Sequence, residues 1–219
     1  LMMEHINKVL GDIKRVYPAH DAKAGYELAG FVWFQGWNDM VDRGTYPNRA
    51  QPGGYAQYSK VLVHFIRDVR KDLSAPKLPF VIGVMGVGGP VEKYGPDQKR
   101  YAGIHSEFRK AMAAPAKLSE FKGNVTAVFT ENYWDHQLSE LSSRMGKVNA
   151  KRRSLGNDKT LSVEERRKLV EDHKADLFTK EEIRILETGI SNAAYHYLGS
   201  SKILGQIGKA FADAQATMR

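Results

Sequence analysis

The 219-residue chain has no cysteine, which excludes disulfides and thiolate-ligated zinc and leaves the fold to packing alone. It has no apolar run near the roughly 20 residues that a membrane-spanning helix needs. No His-x-x-x-His pair and no Asp-rich calcium loop occurs, so neither a metal nor another cofactor is implied. The glycines of Gly86-Val87-Gly88-Gly89-Pro90 lack the GxGxxG spacing and the Lys-Ser/Thr of a phosphate loop, which argues against a nucleotide. The N-terminus has no basic segment leading into a long apolar core and does not read as a signal peptide. Leu1, Met2, Ile6, Val9, Leu10 and Ile13 instead recur at helical spacing, so the sequence is expected to begin inside an element of a longer protein.

What is in excess is positive charge, formally +8. Much of it is local: residues 144–180 hold 11 Lys and Arg against 6 Asp and Glu. That segment has few aromatics on which bases could stack, so it reads as a solvated helical surface. Neither a nucleic-acid nor a membrane partner is expected, and a basic nucleic-acid-binding module is the third functional reading. The sequence leaves the oligomeric state open.

Hydrophobic content of 42% and charged content of 26% suit one globular domain of this length. The first helix ends near Tyr17-Pro18, because the residue before proline is pushed out of helical angles. Apolar runs at Glu27 to Phe34, Pro79 to Val87 and Asn124 to Thr130 read as buried strands, and helices are expected over Tyr55 to Leu73 and Asp97 to Met112. Ser162 with Glu165, and Thr179 with Glu182, have capping-box spacing and place two helices between Asp135 and Gly189. Ile203, Leu204, Ile207, Ala210, Phe211 and Ala214 stripe a final helix. Helices alternating with strands predict an α/β fold with a mostly parallel sheet. The domain is taken as residues 1–219, with 136–189 a helical insertion before the final helix and its charged part, about 145–180, projecting from the core.

The richest segment is Gly30-Phe31-Val32-Trp33-Phe34-Gln35-Gly36-Trp37-Asn38-Asp39, where a buried-strand pattern runs into a glycine turn crowded with amide and carboxylate groups. Ligands in open α/β sheets bind beyond the carboxyl ends of such strands. Gly36 permits close backbone approach, and Asn38 offers side-chain donors for a developing negative charge. Among the seven histidines, His196 differs by preceding a helix start between Tyr195 and Tyr197. His5 and His64 fall in helices, His173 lies in the charged segment, and His20, His105 and His136 have weaker claims.

These two segments, WFQGWND and YHYLGSSKILGQIGKAFADA, resemble the SGNH (GDSL-like) hydrolase superfamily, and within it the sialate O-acetylesterase-like carbohydrate esterases. The resemblance implies a three-layer α/β/α sandwich with a flavodoxin-like sheet, an acetylated carbohydrate such as a sialate or xylan ester as substrate, and a secreted, periplasmic or cell-envelope location. It implies His196 as general base and Gly36 and Asn38 as oxyanion donors. Gln35, Trp37, Asp39 and Gly88 become substrate-binding candidates. In the carbohydrate-esterase alignment the amide position falls on Asp39, but a carboxylate would repel an oxyanion, which favours Asn38. Gly36, Asn38 and His196 are expected to meet at the carboxyl edge of the sheet.

Two departures from that pattern stand out. Ala193 occupies the place of the aspartate three residues before the histidine, which leaves Glu187 or Asp135 as substitutes, with Ser191 and Asn192 adjacent. The Gly-Asp/Gln-Ser turn carrying the nucleophile has no counterpart in the chain, and Ser200 is better read as a helix N-cap. The alternative is a catalytically silent carbohydrate-binding domain on the same fold. The 219 residues alone are therefore predicted to lack esterase activity, checked with an aryl acetate; robust turnover lost in His196→Ala would overturn this and make Ser200 the first serine to mutate.

Overall fold

The computed structural model describes residues 2–218, so the expected place of Leu1 on the first helical stripe lies outside the described residues. Helix α1 (Met2–Gly11) passes into a 3-10 turn at Ile13–Arg15 before Pro18. Strand β1 (Phe31–Trp33) is followed by the short α2 (Trp37–Val41), α3 (Ala56–Asp72) and β2 (Phe80–Val84). Next come α4 (Pro96–Lys99), α5 (Ala102–Ala113) and β3 (Val125–Phe129). Then α6 (His136–Gly156), α7 (Val163–Leu177), α8 (Lys180–Gly189) and α9 (Ser201–Thr217) complete the chain. The three strands form an all-parallel sheet in the order β1-β2-β3.

By contact the chain divides into two compact units. The first comprises residues up to Met85, Gly103–Val128 and the end from Ala210; the second comprises Gly86–Ala102 and Phe129–Lys209. In the first unit β1 lies on β2 with Phe31 opposite Phe80 and Trp33 opposite Ile82. Strand side chains alternate between faces, so Phe31 and Trp33 share one face, and Phe65 of α3 covers both at ring distances of 5.9 and 4.5 Å. The stacked Phe31 and Phe80 rings lie 5.1 Å apart. Phe34 turns to the opposite face and meets Phe211 of α9 at 5.2 Å. Gly83 has to be glycine there, because a Cβ would stand 2.6 Å from both rings. Helices thus cover both faces, the architecture of an α/β/α sandwich, and Phe80, Val81, Ile82 and Val84 are fully buried as an interior strand requires.

Buried Arg70 ties strand entries together: its Nη2 donates to Leu78 O at 2.8 Å, to Asn124 O at 3.0 Å and to Asn124 Oδ1 at 2.7 Å. The helix expected over Asp97 to Met112 is broken in two, and the break is closed by Tyr101 N–H donating to Gln98 O at 2.8 Å.

Within the second unit both capping boxes are formed, at Ser162 with Glu165 and at Thr179 with Glu182. A further helix, α6, precedes them, started by Asp135, whose side chain accepts from Leu138 N–H at 2.9 Å. Leu141, Val148 and Leu155 from α6, Val170 from α7, Phe178, and Leu186 from α8 make one buried cluster. The guanidinium of Arg144 lies 5.0 Å above the Phe178 ring and donates to Leu177 O and to Glu182. The charged segment is thus held by an apolar core of its own. Leu141 is 1% exposed, so Leu141→Ala is expected to destabilise these helices by about 2–5 kcal/mol. Urea unfolding followed by hydrogen exchange at α6 to α8 measures this, and an unchanged midpoint would mean that the cluster does not hold the helices together.

Candidate active site

The first unit carries the strand-end loop. Gly36 is the N-cap of α2, its carbonyl accepts from Met40 N–H at 2.9 Å, and a Cβ on it would lie 2.9 Å from the Phe108 ring. Any larger residue would push the turn off its aromatic floor. Trp37 and Asp39 are half-buried, while Gln35 and Asn38 are exposed. Gln35 Nε2 faces Asp39 Oδ2 at 3.4 Å, which places these two substrate candidates side by side.

Aromatic residues pin this loop from below. Tyr55 donates to Met40 O at 2.6 Å and Tyr58 to Gln35 O at 3.3 Å, and both rings lie 4.8 Å from Phe108. Burial raises both phenols to about 12, so both hydroxyls keep their protons at neutral pH. Arg49 closes the far end of α2 by donating to Val41 O at 2.6 Å. The long loop after Gly36 is therefore fixed through its main chain while the Asn38 side chain stays accessible.

The second unit carries the histidine. His196 lies in a 3-10 segment, Ala194–Gly199, in which Tyr197, Leu198 and Gly199 have φ of 53°, 61° and 59°. Left-handed backbone costs a non-glycine residue about 1–2 kcal/mol, so side-chain contacts must hold Tyr197 and Leu198. Leu198 is 1% exposed, and its carbonyl accepts from Ser191 N–H at 2.9 Å and Asn192 N–H at 3.0 Å. The buried Tyr197 hydroxyl accepts from Gly86 N–H at 2.8 Å and bonds Thr130 Oγ1 at 2.7 Å. At Gly199 a Cβ would stand 2.2 Å from Ser191 Oγ.

This turn folds back to bring Asn192 Oδ1 within 3.1 Å of His196 Nδ1. An amide oxygen only accepts, so this contact selects the tautomer with the proton on Nδ1, and the lone pair of the neutral ring then lies on Nε2. Asn192 thus stands where an orienting acid was sought. Sequence spacing missed it because the match looked for is a carboxylate three residues back, whereas the left-handed turn makes an amide four residues back the neighbour. Asp135 is committed elsewhere: Leu138 N–H and Lys202, the latter at 2.7 Å, outweigh partial burial and hold its carboxyl low. Glu187 is an exposed residue of α8. Ser200 is 2% exposed, and its carbonyl accepts from Leu204 N–H at 2.9 Å as an N-terminal residue of α9 does. His105 lies in the first unit, where burial, aided by Arg109, lowers it to about 4.

Gly88 is separated from this histidine in sequence but belongs to the same unit. It sits with Trp134 and His136 on an open cleft of about 320 Å³. Among the described residues no group of three or more His, Asp or Glu could hold a metal ion, and no described helix is long and apolar enough to cross a membrane.

Tyr197→Phe should leave a buried Gly86 N–H without its acceptor, costing about 1–3 kcal/mol. It should also broaden the His196 ring resonances in NMR spectra. Unchanged stability with unchanged His196 signals would show that the hydroxyl does not hold the turn.

No curated protein and no solved structure matches the chain significantly. The family model for carbohydrate esterase, sialic acid-specific acetylesterase, matches residues 12–132, more than half of the chain. The match takes in all three strands and the Gly36 loop, and it ends before His196. On that match the chain belongs to the carbohydrate esterase family of sialic acid-specific acetylesterases.

Proposed function

We propose that the protein is a serine esterase that removes O-acetyl groups from carbohydrate, with His196 as its general base and acid. The observation that supports this reading is the His196–Asn192 pair beside the left-handed turn, which favours the neutral tautomer with its lone pair on Nε2. A base in that state accepts the proton of a serine hydroxyl as the oxygen attacks the acetyl carbonyl. The Gly36 N–H and the Asn38 amide are suited to stabilise the resulting oxyanion. When the tetrahedral intermediate collapses, the C–O bond to the sugar breaks and Nε2–H gives its proton to the departing sugar oxygen, which leaves as a hydroxyl. Water then attacks the acetyl-enzyme, again giving its proton to Nε2, and acetate leaves as the serine recovers its hydrogen. Gln35, Trp37, Asp39 and Gly88 would contact the substrate around the ester.

Replacing aspartate by asparagine beside the histidine has a calculable consequence. A neutral amide orients the ring but stabilises the imidazolium less than a carboxylate does. Asn192→Asp should therefore raise kcat/KM, because a carboxylate at Nδ1 stabilises the imidazolium that forms as His196 takes the serine proton. The test is a pH profile of O-acetyl ester hydrolysis by the natural full-length protein, alone and as His196→Ala, Asn38→Ala and Asn192→Asp. His196→Ala should lower kcat by several orders of magnitude, and Asn38→Ala by about a hundredfold or more with little change in KM. Undiminished turnover in His196→Ala would remove the reading.

A further inference from the structure

The cleft beside Gly88 is built from the second unit alone, and neither the family match nor the proposed chemistry says what its outer wall binds. One wall holds Gly88 and the segment Gly95 to Gln98; Gly88 and the adjacent Gly89 have φ of 87° and 76°, and Cβ atoms on them would stand 2.9 Å from Tyr94 Oη and 2.8 Å from His136 Cε1. Only glycine fits at these two positions, because the Tyr94 and His136 side chains already fill the space. Another wall is the first turns of α6, where His136, Ser139, Glu140 and Ser143 line the cleft. Trp134 closes one end, packed edge-on at 6.1 Å against Tyr197, the neighbour of His196. Burial and Lys93 hold the His136 imidazole below its ordinary value, opposed by Asp135, so it is neutral at pH 7.

The charges that line this cleft are the carboxylates of Asp97 and Glu140, and no lysine or arginine lines it. Glu140 is loosely screened by Arg144 at 3.8 Å, but that guanidinium already pairs with Glu182. Lys93 acts on His136 from outside the lining. Amide, hydroxyl and imidazole groups offer donors and acceptors, the carboxylates accept from hydroxyl pairs, and the indole offers an apolar edge. Such a set matches a polyol, and the volume lies at the lower end of small-molecule sites. A ligand carboxylate in the same place would face two like charges.

We infer that the cleft bounded by Gly88, Asp97, Gln98, Trp134, His136 and Glu140 is a subsite for a neutral, polyhydroxylated sugar ring and discriminates against an anionic sialic acid. The assignment rests on the carbohydrate-esterase reading and selects between its two kinds of substrate, neutral glycan and sialate. It also gives the helical segment a task, since α6 supplies Glu140, one of the two carboxylates that select against an anion.

The test is titration of the natural protein with unacetylated xylotriose, cellotriose, mannotriose and N-acetylneuraminic acid, followed by calorimetry and by NMR shifts at Gly88, Trp134 and Ser143. At least one neutral trisaccharide should bind more tightly than the sialic acid and shift these signals. Ser143→Trp, which fills the cleft from an exposed position, should weaken that binding at least about tenfold. The doubly neutralised Asp97→Asn, Glu140→Gln protein should gain about tenfold in affinity for the sialic acid relative to the neutral sugar. Tighter wild-type binding of the sialic acid, no binding of any neutral sugar, or indifference to both variants would each overturn the subsite. Because the probes carry no ester, binding without hydrolysis of the matching acetylated sugar would keep the subsite and refute the esterase chemistry.

Discussion

Three consecutive left-handed residues, Tyr197, Leu198 and Gly199, are the constraint on which the histidine site depends. A turn of this kind does not persist by local preference, since two of the three residues carry a Cβ and oppose it. It persists because the Leu198 side chain is buried, its carbonyl takes two N–H donors, and the Tyr197 hydroxyl is fixed between Gly86 and Thr130. These contacts reverse the chain so that Asn192 faces the ring four residues later. The tautomer of His196 follows from that reversal.

The strand-end loop is held by a different means. There the aromatic rings of Tyr55, Tyr58 and Phe108 pack below a glycine that no other residue could replace, and phenol hydroxyls reach the main-chain carbonyls of Gln35 and Met40. Because the main chain takes these bonds, the Asn38 side chain stays exposed, and Gln35 and Asp39 face each other at 3.4 Å. In both places rigidity comes from buried neighbours while Asn38 and His196 remain exposed, the separation of support from chemistry that the proposed site would need.

The electrostatics are uneven across the chain. The formal charge is +8, and residues 144–180 alone hold 11 Lys and Arg against 6 Asp and Glu, yet the cleft that α6 lines carries carboxylates and no lysine or arginine. Net charge thus gives the wrong impression of this local environment, because charge interactions fall off over about 8–10 Å in physiological salt. The basic residues instead serve the helices: Arg144 over Phe178 and toward Glu182 joins α6 to α8.

The parallel α/β sheet, the places of its three strands, the Gly36 turn and the two capping boxes were legible in the sequence, because each depends on short-range spacing: apolar runs, a glycine, and Ser or Thr three residues before Glu. The expected burial held only for the central β2, since the edge strands β1 and β3 leave Val32 and Phe129 exposed. The strands came out shorter than their apolar runs, since hydrophobicity marks burial and not the end of hydrogen bonding. Helix α6 went unread because its apolar residues, Leu138, Leu141, Met145, Val148 and Leu155, follow a heptad spacing diluted by charge. His196 was singled out by its place before the last helix, but its partner was not, because Asn192 reaches it only through backbone angles that no local preference predicts. The cleft of Gly88, Asp97 and Trp134 was equally hidden. Sequence determines which residues are apolar, charged or free to turn, and tertiary structure alone decides which of those far apart in the chain share one wall, since that depends on packing between elements whose spacing carries no trace of it.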